Sequence, residues 1–498
     1  MAIKSDPAFA RDALHDVAIV GLGPVGATLA NLLALRGLSV LVLEREAGIY
    51  SLPRAVHFDG EVMRAFQTLG LADILLPDLL VSPGMKFLNA GGQVLIDWSR
   101  PQVPGPQGWH TSYRFHQPTL EQALRDRLLA QSNAIMRLSH EVLAIRQQAD
   151  RISLQVKDRR TGLLLDTCAR FVVGCDGARS LVRQAMGSRL DDLQSHERWL
   201  VLDVLLKRDR PDLGDHSIQF CDPRRPATYV RGVGRRRRWE LMLMPGDDPA
   251  TITRPESVWP LLARWITPAD AELERPAVYT FHSVVATGWR DQRLLIAGDA
   301  AHQTPPFMGQ GMCAGIRDAY NLAWKLADVV KGDASSVLLD SYESERSPHV
   351  RTFIEAAVEL GGVIQATDPA RVAQRDAQMV ANPQVFRTPQ PLLGPGAYQA
   401  GPHAGRLVAQ PVLADGQRLD DRLGYRFALI GDPALVSAAT PGDRLAIMAA
   451  NEQSLKTWLA GFEARAVLLR PDRHLAGVAD DVGSVQALVS RYVAGIGS

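Results

Sequence analysis

The chain has 498 residues, 46% of them hydrophobic and 22% charged, with a formal net charge of +1. That length exceeds a single hydrophobic core and predicts two or three domains of ordinary globular composition. The near-zero balance supplies no global basic field for nucleic acid, and no run approaches the ~20 apolar residues of a membrane span.

Four cysteines (Cys168, Cys175, Cys221, Cys313) lack C-x-x-C spacing. They suit neither a disulfide framework nor a metal site and read as reduced, mostly buried thiols. Met1 to Asp6 carry no apolar signal core, and residues to about Asp12 read as a polar leader, so a cytoplasmic protein is expected. From Asp16, Val17-Ala18-Ile19-Val20 is a short apolar strand, Gly21-Leu22-Gly23-Pro24-Val25-Gly26 a turn, and Val25 to about Arg36 a helix ended by Gly37. Leu38 to Leu43 form a second strand closing on Glu44. This is a βαβ unit with G-x-G-x-x-G at its first turn. The glycines admit a tight turn and close approach to a pyrophosphate, the helix N-terminus attracts the phosphate charge, and Glu44 can accept from ribose hydroxyls. The motif alone does not separate FAD from NAD.

Arg54, in the loop Pro53-Arg54-Ala55, can reach the cofactor's phosphates; its alternative is a surface arginine. His57 and Asp59 lie close together and can face a pocket, and Asp59 is also well placed to cap the helix from Glu61 to Leu69. Met85 to Trp98, with Gly91-Gly92 between short strands, reads as a hairpin, and Pro101 to Gly108 as a loop. Gln117-Pro118-Thr119-Leu120-Glu121 opens a helix to about Ala130, with Gln117 free to hydrogen-bond a cofactor. Phe171-Val172-Val173 is an apolar strand that ends in Gly174-Cys175-Asp176-Gly177 and leads into a helix carrying Arg183.

From about Trp199 to Tyr279 short strands dominate, an inserted antiparallel sheet able to roof a substrate pocket. Tyr229, Arg231, Met242, Met244 and His282 are its candidate pocket groups, each with ordinary sheet packing as the alternative. Arg235 to Arg238 reads as a solvated hairpin end rather than a nucleic-acid patch.

The chain then returns to an apolar strand, Arg293 to Ile296, ending at Gly298-Asp299. Pro305, Pro306, Gly309 and Gly311 shape a rigid loop, and a helix begins near Met312. A carboxylate at a strand's C-terminal edge thus recurs after Glu44 and Asp176. One large ligand spanning several loops is implied, which favours FAD over a freely exchanging nicotinamide. His302 reads as a brace of this loop. A long helix from about Leu338 to Gln365, a Pro/Gly/Gln/Ala-rich linker arm and a small α/β unit from about Arg406 complete the chain.

Together, Gly21-x-Gly23-x-x-Gly26 with Glu44, Cys175-Asp176-Gly177-x-x-Ser180, and Gly298-Asp299-Ala300-Ala301-His302-x-x-Pro305-Pro306 resemble the class A FAD-dependent aromatic hydroxylases. Met308-Gly309-Gln310-Gly311-Met312 and Leu469-Arg470-Pro471-Asp472-Arg473 look most like the 3-(3-hydroxyphenyl)propionate and phenol hydroxylase group. The resemblance implies an α/β fold with a discontinuous Rossmann-like FAD-binding domain of the p-hydroxybenzoate-hydroxylase type (13–90, 113–195, 285–365 with the long helix). It also implies a substrate-binding sheet (91–112, 196–284), the linker arm (366–404) and a C-terminal thioredoxin-like domain (405–498) without dithiol chemistry. It implies FAD as cofactor, NADH or NADPH as co-substrate, O2, a phenolic substrate attacked by a flavin C4a-hydroperoxide, and a homodimer without nucleic-acid or membrane partner.

The cofactor set it implies is Gly21, Gly23, Pro24, Gly26, Glu44, Arg45, Arg54, Gln117, Asp176, Gly177, Asp299, Pro306, Gly309, Gly311 and Met312. The catalytic candidates are Asp59, by similarity to a loop aspartate near the substrate hydroxyl, then His57, Tyr229 and His282. The rivals are a catalytically silent FAD-binding regulator and a flavin enzyme acting on a non-aromatic substrate. A flavin halogenase is disfavoured because no W-x-W-x-I-P segment occurs.

Overall fold

A computed structural model describes residues 6–9, 13–51 and 53–495, with Pro7 described only in its backbone. Most of the expected polar leader (1–5, 10–12) therefore lies outside the described residues; Pro7–Phe9 is a single 3-10 turn.

Apolar runs bounded by glycine build a parallel sheet in the order Leu294–Ile296, Leu164–Gly174, Leu14–Val20, Val40–Glu44 and Ala134–Leu138. Strands this apolar on both faces need cover on both. Helix Pro24–Leu35 supplies part of it and packs against Gly311–Lys331 and Gln117–Leu129. The largest core cluster is shared by these strands and helices. Three of the strands end at Val20, Glu44 and Gly174, side by side, and their C-terminal edges open on one side of the sheet.

A second, nine-stranded sheet runs Gln384–Val385, Val94–Ser99, Gly84–Asn89, Ser217–Cys221, Ala227–Arg231, Arg236–Met242, Arg189–Leu206, Ala271–Thr287 and His302–Gln303. It takes in Gly84–Asn89, so it begins before residue 91. Two long strands, Arg189–Leu206 and Ala271–Thr287, carry it past 196 and 284 into the FAD-binding part. One face packs helix Pro255–Leu262; the other meets Phe307, Met308 and the long helix Asp340–Ile364.

The linker arm is more structured than its composition suggested. Helix Pro369–Ala381 opens on Asp368, whose side chain accepts from Arg371 N, with proline at the first helical position. Gln384–Val385 then extends the second sheet at its edge. The run Arg235–Arg238 also departs from expectation. Arg237 and Arg238 are both buried: strand alternation turns Arg238 onto Asp203, while Arg237 on the opposite face donates to the Gly234 carbonyl at 2.9 Å.

The C-terminal unit is a four-stranded sheet, Leu445–Ala449, Phe427–Gly431, Ala466–Leu469 and Leu475–Ala479, whose first pair is parallel and the others antiparallel. With helices between and after these strands, it is a βαβ unit followed by a hairpin and a closing helix. All four cysteines are free. Among the described residues no helix is long and apolar enough to cross a membrane, and no cluster of three ligating side chains could hold a metal ion.

Candidate active site

The first turn of the βαβ unit is a cradle that only glycine can form. Gly21 has φ +100°, and a Cβ there would lie 2.4 Å from the Cys175 carbonyl oxygen; a Cβ on Gly26 would lie 2.1 Å from the Gly21 oxygen. Gly23 instead faces open space and caps helix Pro24–Leu35 without a side-chain hydrogen bond. The helix's first N–H groups are thus left for an anion. Across the gap, Glu44 accepts from Leu22 N and Glu46 N, both at 2.8 Å. These bonds hold the carboxylate in place and leave lone pairs for ribose hydroxyls.

Gly21, Gly23, Pro24, Glu44, Arg45, Arg54, Gln117, Asp176 and Gly177 all line one cavity of about 810 Å³. Gln117 serves the loop above it: its Oε1 accepts from Arg54 N and Ala55 N at 2.8 Å, and its Nε2 donates to Glu121 Oε1 at 2.7 Å. Asp176 Oδ2 accepts from Leu181 N at 2.7 Å, whereas its buried Oδ1 has no protein partner. Burial pushes the Asp176 carboxyl above its ordinary value. An unsatisfied buried acceptor costs free energy unless something donates to it. An adenine dinucleotide's hydroxyls fit that need, and the Gly23 helix start fits its diphosphate.

The second end of the site is built on the turn Gly298–Ala300. Gly298 has φ +62° and sits against Val25, near the start of the nucleotide helix. Asp299 is open to the surface but crowded by protein. Desolvation raises its pKa against the pull of His302 and Arg54. Below the turn lies a buried brace. Asp318 accepts from Gly298 N at 3.1 Å and meets His302 Nε2 at 2.6 Å and Arg346 Nε at 3.0 Å. His302 is thus a structural support of this loop.

Pro306–Met308 is a 3-10 turn, Gly309 has φ +64°, and helix Gly311–Lys331 starts one residue before Met312 with no side-chain cap. The uncapped start can stabilise negative charge beside it. His57 is tied to this loop, its Nδ1 lying 3.3 Å from the Gly309 carbonyl oxygen. Burial, with Arg114 and Arg100 nearby, drops the His57 pKa to about 3, so the ring is neutral. Donation from Nδ1 to Gly309 leaves the Nε2 lone pair free.

Asp59 caps helix Gly60–Thr68 through Oδ1 to Val62 N at 3.1 Å, and its Oδ2 accepts from Arg317 Nη2 at 2.5 Å. Burial opposes its charge, but Arg317 prevails and holds the carboxyl below its ordinary value. Each of its oxygens thus carries one structural bond and keeps a lone pair, so Asp59 and His57 both retain acceptor capacity at this end of the site.

Two other catalytic candidates stand elsewhere. Tyr229 is buried against Trp239, with ring centroids 5.1 Å apart, on the face covered by helix Pro255–Leu262. Strand alternation turns it away from the Gly309 loop. His282 lies 2.8 Å from His196, which in turn meets Asp192 at 2.9 Å, in a surface chain where His196 and Asp192 are 42% and 49% exposed.

Several functional neighbours escaped the sequence reading. Arg317 links Asp59, Glu61 at 2.6 Å and Gln310 at 3.1 Å. Its spacing of seven from Gln310 on one helix was the available signal. Arg114 lies opposite His57 in a three-stranded sheet, so the two side chains share a face, and it donates to Ser217 Oγ at 2.6 Å. Nothing local in the sequence marks that pairing.

With this geometry established, comparison with known proteins is direct. A family model described as FAD binding domain matches residues 15–357. The chain is 39% identical over 522 residues, covering 99% of this chain and 97% of the relative, to the "Probable NADH-specific resorcinol 4-hydroxylase" of Rhodococcus jostii (strain RHA1). It is 34% identical over 516 residues, 94% of each chain, to the 3-(3-hydroxy-phenyl)propionate/3-hydroxycinnamic acid hydroxylase of Burkholderia cenocepacia (strain HI2424). In fold it matches the flavin-dependent monooxygenase PieE, solved with FAD and substrate, at a TM-score of 0.83 and 21% identity, covering 97% of this chain and 98% of that one. Aklavinone-11 hydroxylase with FAD and aklavinone matches at 0.79 and 23%, covering 97% and 99%. The chain therefore belongs to the FAD-dependent aromatic hydroxylases that carry this FAD binding domain.

Proposed function

We propose that this hydroxylase uses NADH and O2 to hydroxylate a phenol carrying an acidic side chain, with His57 as the group that receives the ring hydroxyl's hydrogen bond. Bound FAD would supply the redox chemistry: electrons from the nicotinamide and O2 activation for transfer of one oxygen atom to an electron-rich ring. The chain's own residues do the rest. Glu44, Arg54, Asp176 and the Gly23 helix start would hold the nucleotide, Asp299 would take a hydroxyl of the chain leading to the ring system, and the Gly311 helix start would stabilise negative charge on that ring system. An apolar wall of Trp199, Phe307, Met308 and Phe353 keeps water out.

The observation that carries the reading of His57 is its neutral ring, tied to Gly309 at 3.3 Å beside an uncapped helix. Accepting from the phenol at Nε2 raises electron density on the ring that is to be attacked. Asp59, paired with Arg317, holds the adjoining helices in register beside that ring.

The acidic side chain is argued from Arg114 and Arg100. Arg114 is 6% exposed, has an unpartnered Nε and bonds only a hydroxyl. Arg100 stacks 4.7 Å from the Trp98 ring. Burial lowers both guanidiniums to about 10, and each feels the carboxylates nearby only at longer range. Among the described residues neither has a carboxylate within ion-pair distance, an unfavourable arrangement that an anionic substrate group relieves. A hydroxyphenylpropionate-like acid supplies it; resorcinol does not. The homodimer and the cytoplasmic setting belong to the same proposal.

Purified yellow protein, NADH and a panel of neutral and acidic phenols, scored by product mass, test the reading. The expected result is one added oxygen, with kcat/KM at least tenfold higher for the acids. A protein that takes up no FAD, or adds no oxygen to any phenol, sinks it. A silent FAD binder shows neither phenol-stimulated NADH oxidation nor O2 uptake.

A further inference from the structure

The loop that carries Arg54 over the cofactor cavity is held by its main chain from two sides. From the FAD-binding side, Gln117 Oε1 accepts from Arg54 N and Ala55 N. From the substrate sheet, Arg238 donates through Nη1 to the Arg54 carbonyl at 2.7 Å and through Nη2 to the Pro53 carbonyl, and Arg275 Nη2 reaches that same Pro53 oxygen at 3.1 Å.

These two arginines flank Asp203 in one cross-strand row: Asp203 pairs with Arg238 on one side and with Arg275 on the other. Arg238 Nε and Nη2 meet the carboxylate at 2.7 and 3.1 Å, and Arg275 Nη2 meets it at 2.9 Å. The side chains of all three are 5–7% exposed. Two buried guanidiniums face one carboxylate, with Glu240 farther off at 3.8 Å from Arg238. The surplus N–H groups therefore need acceptors: the Tyr279 hydroxyl takes Arg275 Nη1 at 2.8 Å, and the Pro53 and Arg54 carbonyls take the rest of those that are bonded. Displacing the loop strands buried donors, which makes it an element with a definite position rather than a soft hinge.

We propose that Arg238 and Arg275, held by Asp203, are positioning residues for the cofactor. They set the Pro53–Ala55 main chain so that the Arg54 side chain meets the anionic part of FAD, and they tie the substrate sheet to cofactor affinity. The proposal rests on Arg54 as a cofactor contact.

The test is a double-mutant cycle read as the FAD Kd from flavin fluorescence titration, with thermal midpoints recorded alongside. Arg54→Ala is expected to raise Kd about tenfold, and Arg238→Met by a similar factor, the scale of one or two lost charge-assisted hydrogen bonds. Arg238→Lys, which keeps the charge and one donor, should recover part of the loss. In the Arg54→Ala background, Arg238→Met should add less than about twofold, because its effect passes through Arg54.

Equal penalties in both backgrounds, or no change in Kd for Arg238→Met, overturn the proposal. An unchanged Kd in Arg54→Ala also overturns it, by removing its premise, and leaves the hydroxylase reading standing. Should Arg238→Met fail to fold, Arg275→Gln loses only one of the loop contacts and enters the same cycle, with about a threefold rise expected in the presence of Arg54 and none in its absence.

Discussion

The role proposed for His57 depends on an uncharged ring. Burial and two arginines hold its pKa at about 3, so the folded ring is neutral near pH 7. Its contribution to turnover should be flat from about pH 5 to 8, because no protonation change of this ring falls there. His57→Ala is expected to lower kcat at least ~100-fold, in line with losing a positioned proton acceptor, while the FAD content measured by absorbance stays that of the parent. A kcat within twofold of the parent removes His57 from the mechanism.

Tyr229→Phe makes the contrasting measurement. The hydroxyl lies on the sheet face covered by helix Pro255–Leu262, so kcat/KM should stay within twofold. Asp299 sits between these extremes: with its carboxylate open on the turn, Asp299→Ala should lose flavin during gel filtration. Unchanged flavin occupancy would count against its assigned role.

At the scale of elements, the loop Pro305–Gln310 decides how the ring end of the site is shaped. Gly309 has φ +64°, and a Cβ there would stand 3.4 Å from the His57 ring. Gly309→Ala should cost about 1 kcal/mol in thermal unfolding from the left-handed backbone alone. At that distance the methyl only touches the ring, so the cost comes from the backbone, and a variant with parental stability contradicts this account of the loop.

The same loop marks how far the sequence could be read. Its glycines, prolines and apolar strand are local signals, so the strand, the turn and the helix start were legible, as were the G-x-G-x-x-G cradle and Glu44. What escaped depends on pairings between distant strands. Arg114 faces His57 only because Tyr113–Arg114 pairs with His57–Phe58, and Arg238 turns inward only because Asp203 lies opposite it. Tyr229 takes the face packed on Trp239 for the same reason: which face a strand residue takes depends on a register that alternation alone does not set. Helix Pro369–Ala381 was hidden differently, since its Asp-Pro start signal was outweighed by the surrounding Pro, Gly and Gln.

At the scale of the molecule, the C-terminal unit is bolted to the helices that carry the site. Arg64, on the helix capped by Asp59, is bound through Nε at 2.5 Å and Nη2 at 2.9 Å by Asp420. Arg470 holds Glu345 with two bonds of 2.9 Å, and Lys325 and Asn321, both on the helix from Gly311, reach Glu345 at 2.7 Å. Lys325, Glu345 and Arg470 are completely shielded from solvent. Burial pushes the Glu345 carboxyl up, but Arg470 and Lys325 more than offset it and hold it at about 2, against an ordinary value of 4.5.

A depressed carboxyl contributes stability that is fully present above its unfolded pKa and is lost as pH falls through the folded one. For Glu345 that window runs from about 4.5 down to about 2 and amounts to roughly 3 kcal/mol. Glu345→Gln removes the charge while Arg470 and Lys325 stay buried, a loss of the order of 3–5 kcal/mol. The variant should therefore unfold several degrees earlier at pH 7, and the gap to the parent should narrow as both are titrated toward pH 3. Because Glu345 bridges Arg470 of the C-terminal unit to Lys325 of the helix from Gly311, flavin release should accompany that early transition instead of following it. A variant whose C-terminal unit melts alone, with flavin fluorescence unchanged until a second transition, would show that the two parts are not mechanically joined.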